Sequence, residues 1–303
     1  PSYNELDPTV LIGLSYSILF GFMFGDVGQG LLLLIGGFLL YRFKKLDLAA
    51  IISCCGFCST IFGFLFGSVF GFEDVIPALW LRPAEAMTAL PFVGRLNTVF
   101  VTAIALGMGM ILLTMIVNMA VSFKCRDTEK TWFDTNGLAG FIFYLSLAAV
   151  IILYMTGRPL PATAVLAVMF VVPLLLIFLK EPLAALVERR GPELSGGAMF
   201  FVEGFFELFE VLLSYFSNTL SFVRVGAFAV SHAAMMQVVL MLSGAETGHI
   251  SIPVIVLGNL FVCGMEGLVV GIQVLRLEYY ELFSRFYRGT GREFKPFLKK
   301  QTF

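Results

Sequence analysis

Charged side chains are scarce in this chain of 303 residues. Only 14% of the residues are Asp, Glu, Lys or Arg, whereas 58% are hydrophobic. Soluble domains carry about 25% charged residues, so the composition excludes an ordinary soluble domain and predicts an all-α integral membrane protein in contact with lipid. The formal net charge of −1 says nothing about nucleic acid binding, and for this membrane protein we expect no nucleic acid as a partner.

Cysteines and catalytic motifs are also scarce. The five cysteines are an odd number and lie mostly in apolar segments, which is typical of small buried hydrophobic residues rather than of disulfides or a metal site. The sequence contains no P-loop, no HExxH zinc motif and no nucleophile elbow. We therefore expect no cofactor, no bound metal and no covalent chemistry. The start at Pro1, without Met or a signal peptide, predicts a piece of a longer protein.

Long apolar runs, by contrast, occupy most of the chain and predict about eight transmembrane helices in a single domain, residues 1–303. The predicted spans are residues 8–24, 28–43, 48–71, 93–123, 134–156, 162–180, 199–243 and 253–288. The glycine-rich break Gly25–Gly30 separates the first two, and residues 72–92 form a loop outside the hydrocarbon. If residues 8–43 formed one helix instead, the N-terminus would lie on the opposite side of the membrane.

The last two predicted spans are unusually long. Span 199–243, read as one helix at 1.5 Å per residue, would be about 68 Å long, against a hydrocarbon thickness of about 30 Å. It must therefore tilt strongly, break, or project into water. Its first turns place Glu203, Glu207 and Glu210 on one face, which suits an entrance open to water.

The distribution of basic residues predicts the orientation. Of the 20 Lys and Arg residues, 15 follow the second, fourth, sixth and eighth spans. By the positive-inside rule these loops are cytoplasmic, so both termini lie in the cytoplasm.

Arg224 lies near the middle of the seventh span, where an arginine costs about 2.5 to 3.5 kcal/mol on insertion scales. A polar stripe leads to it at steps of four, three, four and three residues: Glu210, Ser214, Ser217, Ser221 and Arg224. His232 lies two turns further on, and no acid lies within a turn of Arg224 in sequence. The eighth span adds Glu266, Gln273 and Arg276.

The predicted directions of the two spans place Glu210 toward the cytoplasm and Glu266 with His232 toward the outside. Arg224 then separates two polar paths, and its natural partner is a carboxylate on another protein. Simpler interpretations remain open: Arg276 and Glu266 could form a buried pair that only joins two helices, and any one serine could bond to its own helix backbone. Asp26 could cap the following helix or line a water pocket.

These residues resemble a known family. Ser217-Asn-Thr-Leu-Ser-Phe-Val-Arg224, followed by Ser231-His232-Ala, resembles the signature of the a subunit (subunit I in prokaryotes) of V-type and A-type rotary ATPases. Phe24-Gly-Asp26-Val-Gly28-Gln-Gly30, Met265-Glu266-Gly267 with Arg276 nearby, and Phe294-Lys-Pro-Phe297 match further family phrases. The sequence departs from the family at two positions, because eukaryotic relatives have more polar residues where Ser214 and Asn218 stand here. In the Phe24–Gly30 phrase, Gln29 replaces a histidine that the family often has, so we assign no role to Gln29.

The resemblance implies eight membrane helices, the last two long and tilted against a ring of proteolipid c subunits. It implies a separate cytoplasmic N-terminal domain, absent from this chain, that contacts the peripheral stalk, and a complex with central rotor subunits in a prokaryotic cell membrane. The implied ion-translocation residues are Arg224, Arg276, Glu266, His232 and Glu210. Ser214, Ser217, Asn218, Ser221, Gln273 and Asp26 are candidates for lining two aqueous half-channels.

The expected function is that of a non-catalytic ion-translocating stator subunit, with the ATP site on other subunits. Arg224 would release the ion from each c-subunit carboxylate and block a leak between the half-channels. The sequence leaves open whether the ion is H⁺ or Na⁺, and whether the complex pumps or synthesises ATP. The alternatives are a secondary ion-coupled transporter using Asp26, Glu266 and Arg224, and a structural membrane anchor with buried salt bridges.

Overall fold

The computed structural model describes residues 5–90, 94–187, 197–245, 248, 250–287, 289 and 291–292. Nearly all regular structure in these residues is helical, because long apolar segments in a bilayer must satisfy their backbone hydrogen bonds within themselves. The polar linker at residues 188–196 and the tail motif Phe294–Phe297 lie outside the described residues.

The first three helices form a tightly packed group. Helix α1 (Thr9–Met23) ends just before Asp26, which begins α2 (Val27–Lys44), so residues 8–43 form two helices as predicted. Helix α3 (Asp47–Phe66) ends at Gly67, whose φ of +73° is the left-handed C-cap conformation that glycine adopts without strain. Both α1 and α2 pack along α3.

A small β-hairpin, which the sequence did not predict, precedes α4. Strand β1 (Met87–Leu90) pairs antiparallel with β2 (Gly94–Asn97). The Asn97 side chain accepts a hydrogen bond from the Val99 amide and caps α4 (Thr98–Lys124). The helix therefore begins at residue 98 rather than 93.

The next segment contains a sharp bend. After α4 come a π-helical turn (Glu129–Phe133) and α5 (Leu138–Met155). Helix α6 (Thr163–Phe178) continues into α7 (Lys180–Val187) at an angle of 75°. The Lys180 ammonium at this bend forms an ion pair with Glu207 of the following helix.

The predicted span 199–243 contains a break. Helix α8 (Gly197–Ser221) ends one residue before Phe222, and α9 (Val223–Leu242) follows directly. The eighth span is α10 (Ile252–Leu277), a π-helical turn (Glu278–Phe283) and the short α11 (Ser284–Phe286).

Within the described residues, six helical segments are long and apolar enough to cross a membrane. They are Val27–Lys44, Asp47–Phe66, Thr98–Lys124, Glu129–Met155, Gly197–Leu242 and Ile252–Phe286. The bent pair of α6 and α7 raises the number to seven, while α1 has only 15 residues. The structure thus supports a multi-pass, all-α membrane protein, with fewer candidate spans than the eight predicted.

The core lies where α1, α3, α4 and α9 meet. Its fully buried side chains include Leu19, Phe24 and Val225. Large apolar side chains on α8 and α10, such as Phe216 and Leu268, are exposed. In a membrane protein such a surface faces lipid or a partner in the bilayer.

Candidate functional site

A steric fit fixes the position of Arg224 along its helix. The break at Phe222 is tightened by three-residue hydrogen bonds, from the Phe222 amide to the Thr219 carbonyl (3.3 Å) and from the Val225 amide to the Phe222 carbonyl (3.0 Å). The Phe222 ring is fully buried against Gly107 of α4, where a Cβ would overlap it. Arg224 follows two residues later, on the first turn of α9.

Arg224 itself is half-buried, and its Nη1 is buried without a hydrogen-bond partner among the described residues. Two charges lie close enough to act on it: the guanidinium of Arg276 and the carboxylate of Glu281. The expectation that the partner of Arg224 is a carboxylate on another protein stays a prediction. Glu281, in the turn that follows α10, adds an acid of this chain within electrostatic reach.

The π-helical turn Glu278–Phe283 explains how that acid is placed. An extra residue in a helical turn rotates the side chains that follow, and both Glu278 and Glu281 are buried. Glu281 lies near Ser221 and within the electrostatic reach of Arg224 and Arg276. Its Oε2 has no partner among the described residues.

Arg285 holds the end of this segment. Its Nη1 donates to the Asn136 side-chain oxygen at 2.9 Å, and its Nε donates to the Glu281 backbone carbonyl at 3.1 Å. The guanidinium also lies 5.9 Å from the centre of the Tyr215 ring, at the range of a cation–π contact. These contacts join α11 to α8 and to the loop before α5.

His232 and Glu266 form a buried pair. Nδ1 of His232 lies 2.7 Å from Oε2 of Glu266, and their side chains are 4% and 2% exposed. The remaining polar atoms, Nε2 of His232 and Oε1 of Glu266, have no partner within the described part of the chain. Glu266 is thus joined to His232, and the interpretation that pairs it with Arg276 is not what the structure shows.

A second buried polar cluster lies in the same region. Gln29 is 1% exposed, and its Nε2 donates to Asn259 at 2.9 Å and to the Met236 sulfur at 3.2 Å. The sequence had assigned no role to Gln29. Its contacts connect α2, α9 and α10 across the bundle.

The predicted stripe on α8 lies on one helix but is mostly exposed. Glu210, Ser214 and Ser217 face outward, whereas Asn218 and Ser221 are partly buried. The Asn218 amide lies 3.4 Å from the Ser214 hydroxyl. On α10, Gln273 is partly buried and Arg276 is exposed. These side chains border the apolar face of α8 and α10.

Both carboxylate oxygens of Asp26 accept hydrogen bonds that hold the local structure. Its Oδ1 accepts from the amides of Gln29 and Phe70, both at 3.0 Å. Its Oδ2 accepts from the Ser68 hydroxyl at 2.7 Å and the Gly71 amide at 3.0 Å. A carboxylate has about four acceptor positions, and all four are used here. Of the two roles left open, the structure shows the helix cap.

Sequence reasoning missed Glu278, Glu281 and Arg285. The sequence pattern treated the eighth span as a regular helix, whereas the π-helical turn Glu278–Phe283 changes which side chains are buried at its end. A usable signal existed: two acids and an arginine lie within eight residues at the end of an apolar helix. Among the described residues, no group of three or more His, Cys, Asp or Glu side chains could hold a metal ion.

Comparison with known proteins adds independent evidence. No family model matches the chain. It is 29% identical over 367 residues to the A-type ATP synthase subunit I of Saccharolobus solfataricus, covering 98% of this chain and 51% of that protein. It is 30% identical over 333 residues to the A-type ATP synthase subunit I of Aeropyrum pernix, and that match covers 98% of this chain and 48% of that protein. It is 28% identical over 317 residues to the subunit I of Pyrococcus abyssi, and that match covers 99% of this chain and 44% of that protein.

The chain therefore spans about half the length of the curated relatives it matches. Within that half, the match includes nearly every residue of the chain, and with it the residues that carry the resemblance in sequence. The chain is thus similar, over almost its whole length, to about half of the A-type ATP synthase subunit I of several archaea.

Proposed function

We propose that this chain is the ion-translocating stator element of a rotary A/V-type ATPase, working against a ring of proteolipid subunits. The observation that carries the proposal is Arg224, a cation held at a helix break, whose buried Nη1 has no hydrogen-bond partner in the described part of the chain. It lies beside the exposed apolar face of α8 and α10, where a membrane partner can pack. The ATP site belongs on other subunits, and this chain is non-catalytic.

The proposed mechanism follows from the cost of charge in lipid. A rotor carboxylate facing hydrocarbon must be neutral, because an ionised one is expensive there. When rotation brings it to Arg224, the guanidinium favours the ionised form, and the carried H⁺ or Na⁺ leaves. Arginine stays charged at any relevant pH, so Arg224 also blocks direct passage between the two paths.

The residues around Arg224 supply a path on each side. The His232–Glu266 pair belongs to the external path, with Gln273 and Arg276 between it and Arg224 along α10. The stripe from Glu210 through Ser214, Ser217 and Asn218 to Ser221 belongs to the cytoplasmic path. Glu281 joins that path at its inner end, where Ser221 and Arg224 meet it.

The proposed setting is a prokaryotic cell membrane with both termini in the cytoplasm. Eight crossings follow if α1 and the α6–α7 pair each cross once, with the last two helices tilted against the rotor. The partners are the proteolipid ring, the central rotor and the peripheral stalk. The stalk would be reached through a cytoplasmic domain outside this chain, consistent with relatives of about twice its length.

The decisive experiment is Arg224→Ala in the complete, reconstituted complex. We expect an assembled complex that no longer performs ATP-driven ion uptake, because the rotor carboxylates lose the charge that ionises them. Arg224→Lys should also fail largely, since an ammonium is a compact donor without the planar fork of guanidinium.

The matched control is Arg95→Ala, which removes an exposed arginine from the β-hairpin. It should pump at the normal rate. Normal ion uptake by an assembled Arg224→Ala complex would overturn the proposal.

A further inference from the structure

The loop between α3 and the hairpin covers the outer part of α9. Gly71 of this loop lies directly against Met236, and Asp26 holds the loop through Ser68, Phe70 and Gly71. The loop is therefore a fixed lid over the turn of α9 that carries His232.

A cavity of about 10 Å³ lies beneath this loop. Its polar lining residues are Ser68, Glu73 and His232. A water molecule needs about 10–15 Å³ of such volume and two to four polar partners, and this cavity offers both. It is far too small for a hydrated cation.

The histidine has one nitrogen free to meet such a water. Nδ1 is taken by Glu266, which does not line the cavity, whereas Nε2 is buried without a hydrogen-bond partner among the described residues. When Nδ1 carries the proton and donates it to Glu266, Nε2 has a lone pair and accepts from a donor in the cavity.

Glu73 is a lining residue of the cavity that also reaches the surface of the molecule. Its carboxylate is partly exposed, and its Oε2 lies 3.9 Å from Nη1 of Arg82. Partial burial raises the pKa of the Glu73 carboxyl, opposed by the nearby Arg82 guanidinium. The group is thus a carboxylate at the surface, with one side on the cavity and the other toward solvent.

We propose that Glu73 is the outermost proton acceptor of the external path and exchanges protons with His232 through one water in this cavity. The inference rests on the proposed function and extends it to a residue outside the membrane helices. In the inward direction, Glu73 gives a proton to the water while the water gives one to Nε2. The resulting imidazolium then passes its Nδ1 proton to Oε2 of Glu266.

The test uses the reconstituted complex and measures ATP-driven acidification of vesicles. We expect Glu73→Gln to lower the rate roughly tenfold, because an amide keeps the size but cannot exchange a proton. Glu73→Asp should restore most of the rate, which a purely structural role would not require. The matched control is Glu85→Gln, an exposed carboxylate of the same loop that does not line the cavity.

A second variant tests the cavity itself. Ala233→Leu should fill it and lower acidification, whereas Ala167→Leu on the exposed surface of α6 should not. This pair remains informative even where Glu73→Gln disturbs the loop. Acidification by Glu73→Gln equal to that by Glu85→Gln, or by Ala233→Leu equal to that by Ala167→Leu, would overturn the inference. ATP-driven sodium uptake in place of acidification would do the same.

Arg224→Ala in the same preparation separates the two levels of failure. If the Arg224→Ala complex is inactive while the Glu73→Gln and Ala233→Leu complexes are fully active, only the proposed proton transfer through Glu73 is contradicted. If the Arg224→Ala complex pumps, the proposed function is contradicted as well.

Discussion

At the scale of single residues, Asp26 and Glu281 show how environment divides the work of two identical carboxylates. All four acceptor positions of the Asp26 carboxylate take hydrogen bonds, from the start of α2 and from the loop after α3. Glu281 has one oxygen without a hydrogen-bond partner among the described residues and lies within the electrostatic reach of two arginines. The first carboxylate can hold structure, and the second is available to respond to a change of charge nearby.

Replacing Asp26 should therefore affect stability first. Asp26→Ala leaves the buried amides of Gln29 and Gly71 and the part-buried amide of Phe70 without this acceptor. The cost is about 1–3 kcal/mol for each buried group that stays unpaired. We expect a lower melting temperature of the complex, measured by the loss of its assembled form on heating. Asp74→Ala, at an exposed acid of the same region, should leave the melting temperature unchanged; an equal shift for both would contradict the role assigned to Asp26.

Replacing Glu281 should instead affect ion transport. Glu281 is the acid near Arg224 within the described part of the chain, and without it Arg224 should hold each carboxylate of the proposed rotor more strongly. We expect Glu281→Gln to slow ATP-driven ion uptake several-fold, and Glu281→Asp to recover part of the rate. Glu181→Gln on α7 serves as the exposed control. Equal uptake rates for the Glu281→Gln and Glu181→Gln complexes would rule out this role.

At the scale of secondary-structure elements, the apolar runs predicted where helices form, but not how they are interrupted. The Gly25–Gly30 sequence signalled the boundary between α1 and α2, since glycine and a capping Asp act locally. No such signal marks Phe222 or the π-helical turn at Glu278–Phe283. Both depend on contacts with other helices, which a single sequence does not display.

The Phe222 break can be tested through α4. Gly107→Leu should displace the Phe222 ring, because the new side chain would occupy its place. We expect poor assembly or a lower melting temperature, together with reduced ion uptake by whatever complex remains. Gly109→Leu is a close control, since a Cβ at Gly109 meets no atom within 4 Å. Equal loss of ion uptake in the Gly107→Leu and Gly109→Leu complexes would show that the contact between Gly107 and the Phe222 ring has no particular role in transport.

At the scale of the whole molecule, the sequence predicted a multi-pass membrane protein and a resemblance to subunit I, and the helical structure and the similar proteins agree with both. It also placed His232 and Glu266 on the same side of Arg224, and the structure joins them in one pair. The charged residues after Leu277 were visible in the sequence, but the position of Glu281 near Arg224 and the loop over His232 could not be predicted, because they join segments more than 50 residues apart in the chain. Long-range packing, rather than local propensity, decides them.

The exposed face of α8 and α10 should contact the rotor in the complete complex. A cysteine at Leu268, whose side chain is 63% exposed, should cross-link to a cysteine placed near the rotor carboxylate. A cysteine at Val171 of α6, 50% exposed, should not. The cross-linked band on a denaturing gel is the measurement, and the reverse pattern would place the rotor on a different face.

The contact between Phe222 and Gly107 has a consequence for how the proposed motor would keep its step. If the chain acts as the stator, its own packing at this contact would set the depth of the charge, and every arriving rotor carboxylate would meet that charge at the same height, whatever torque the rotor carries. A stator loosened at this contact would let the cation follow the ring for part of each step. Such a motor would consume ATP while slipping, and its ion-to-ATP ratio would fall as the load across the membrane increased.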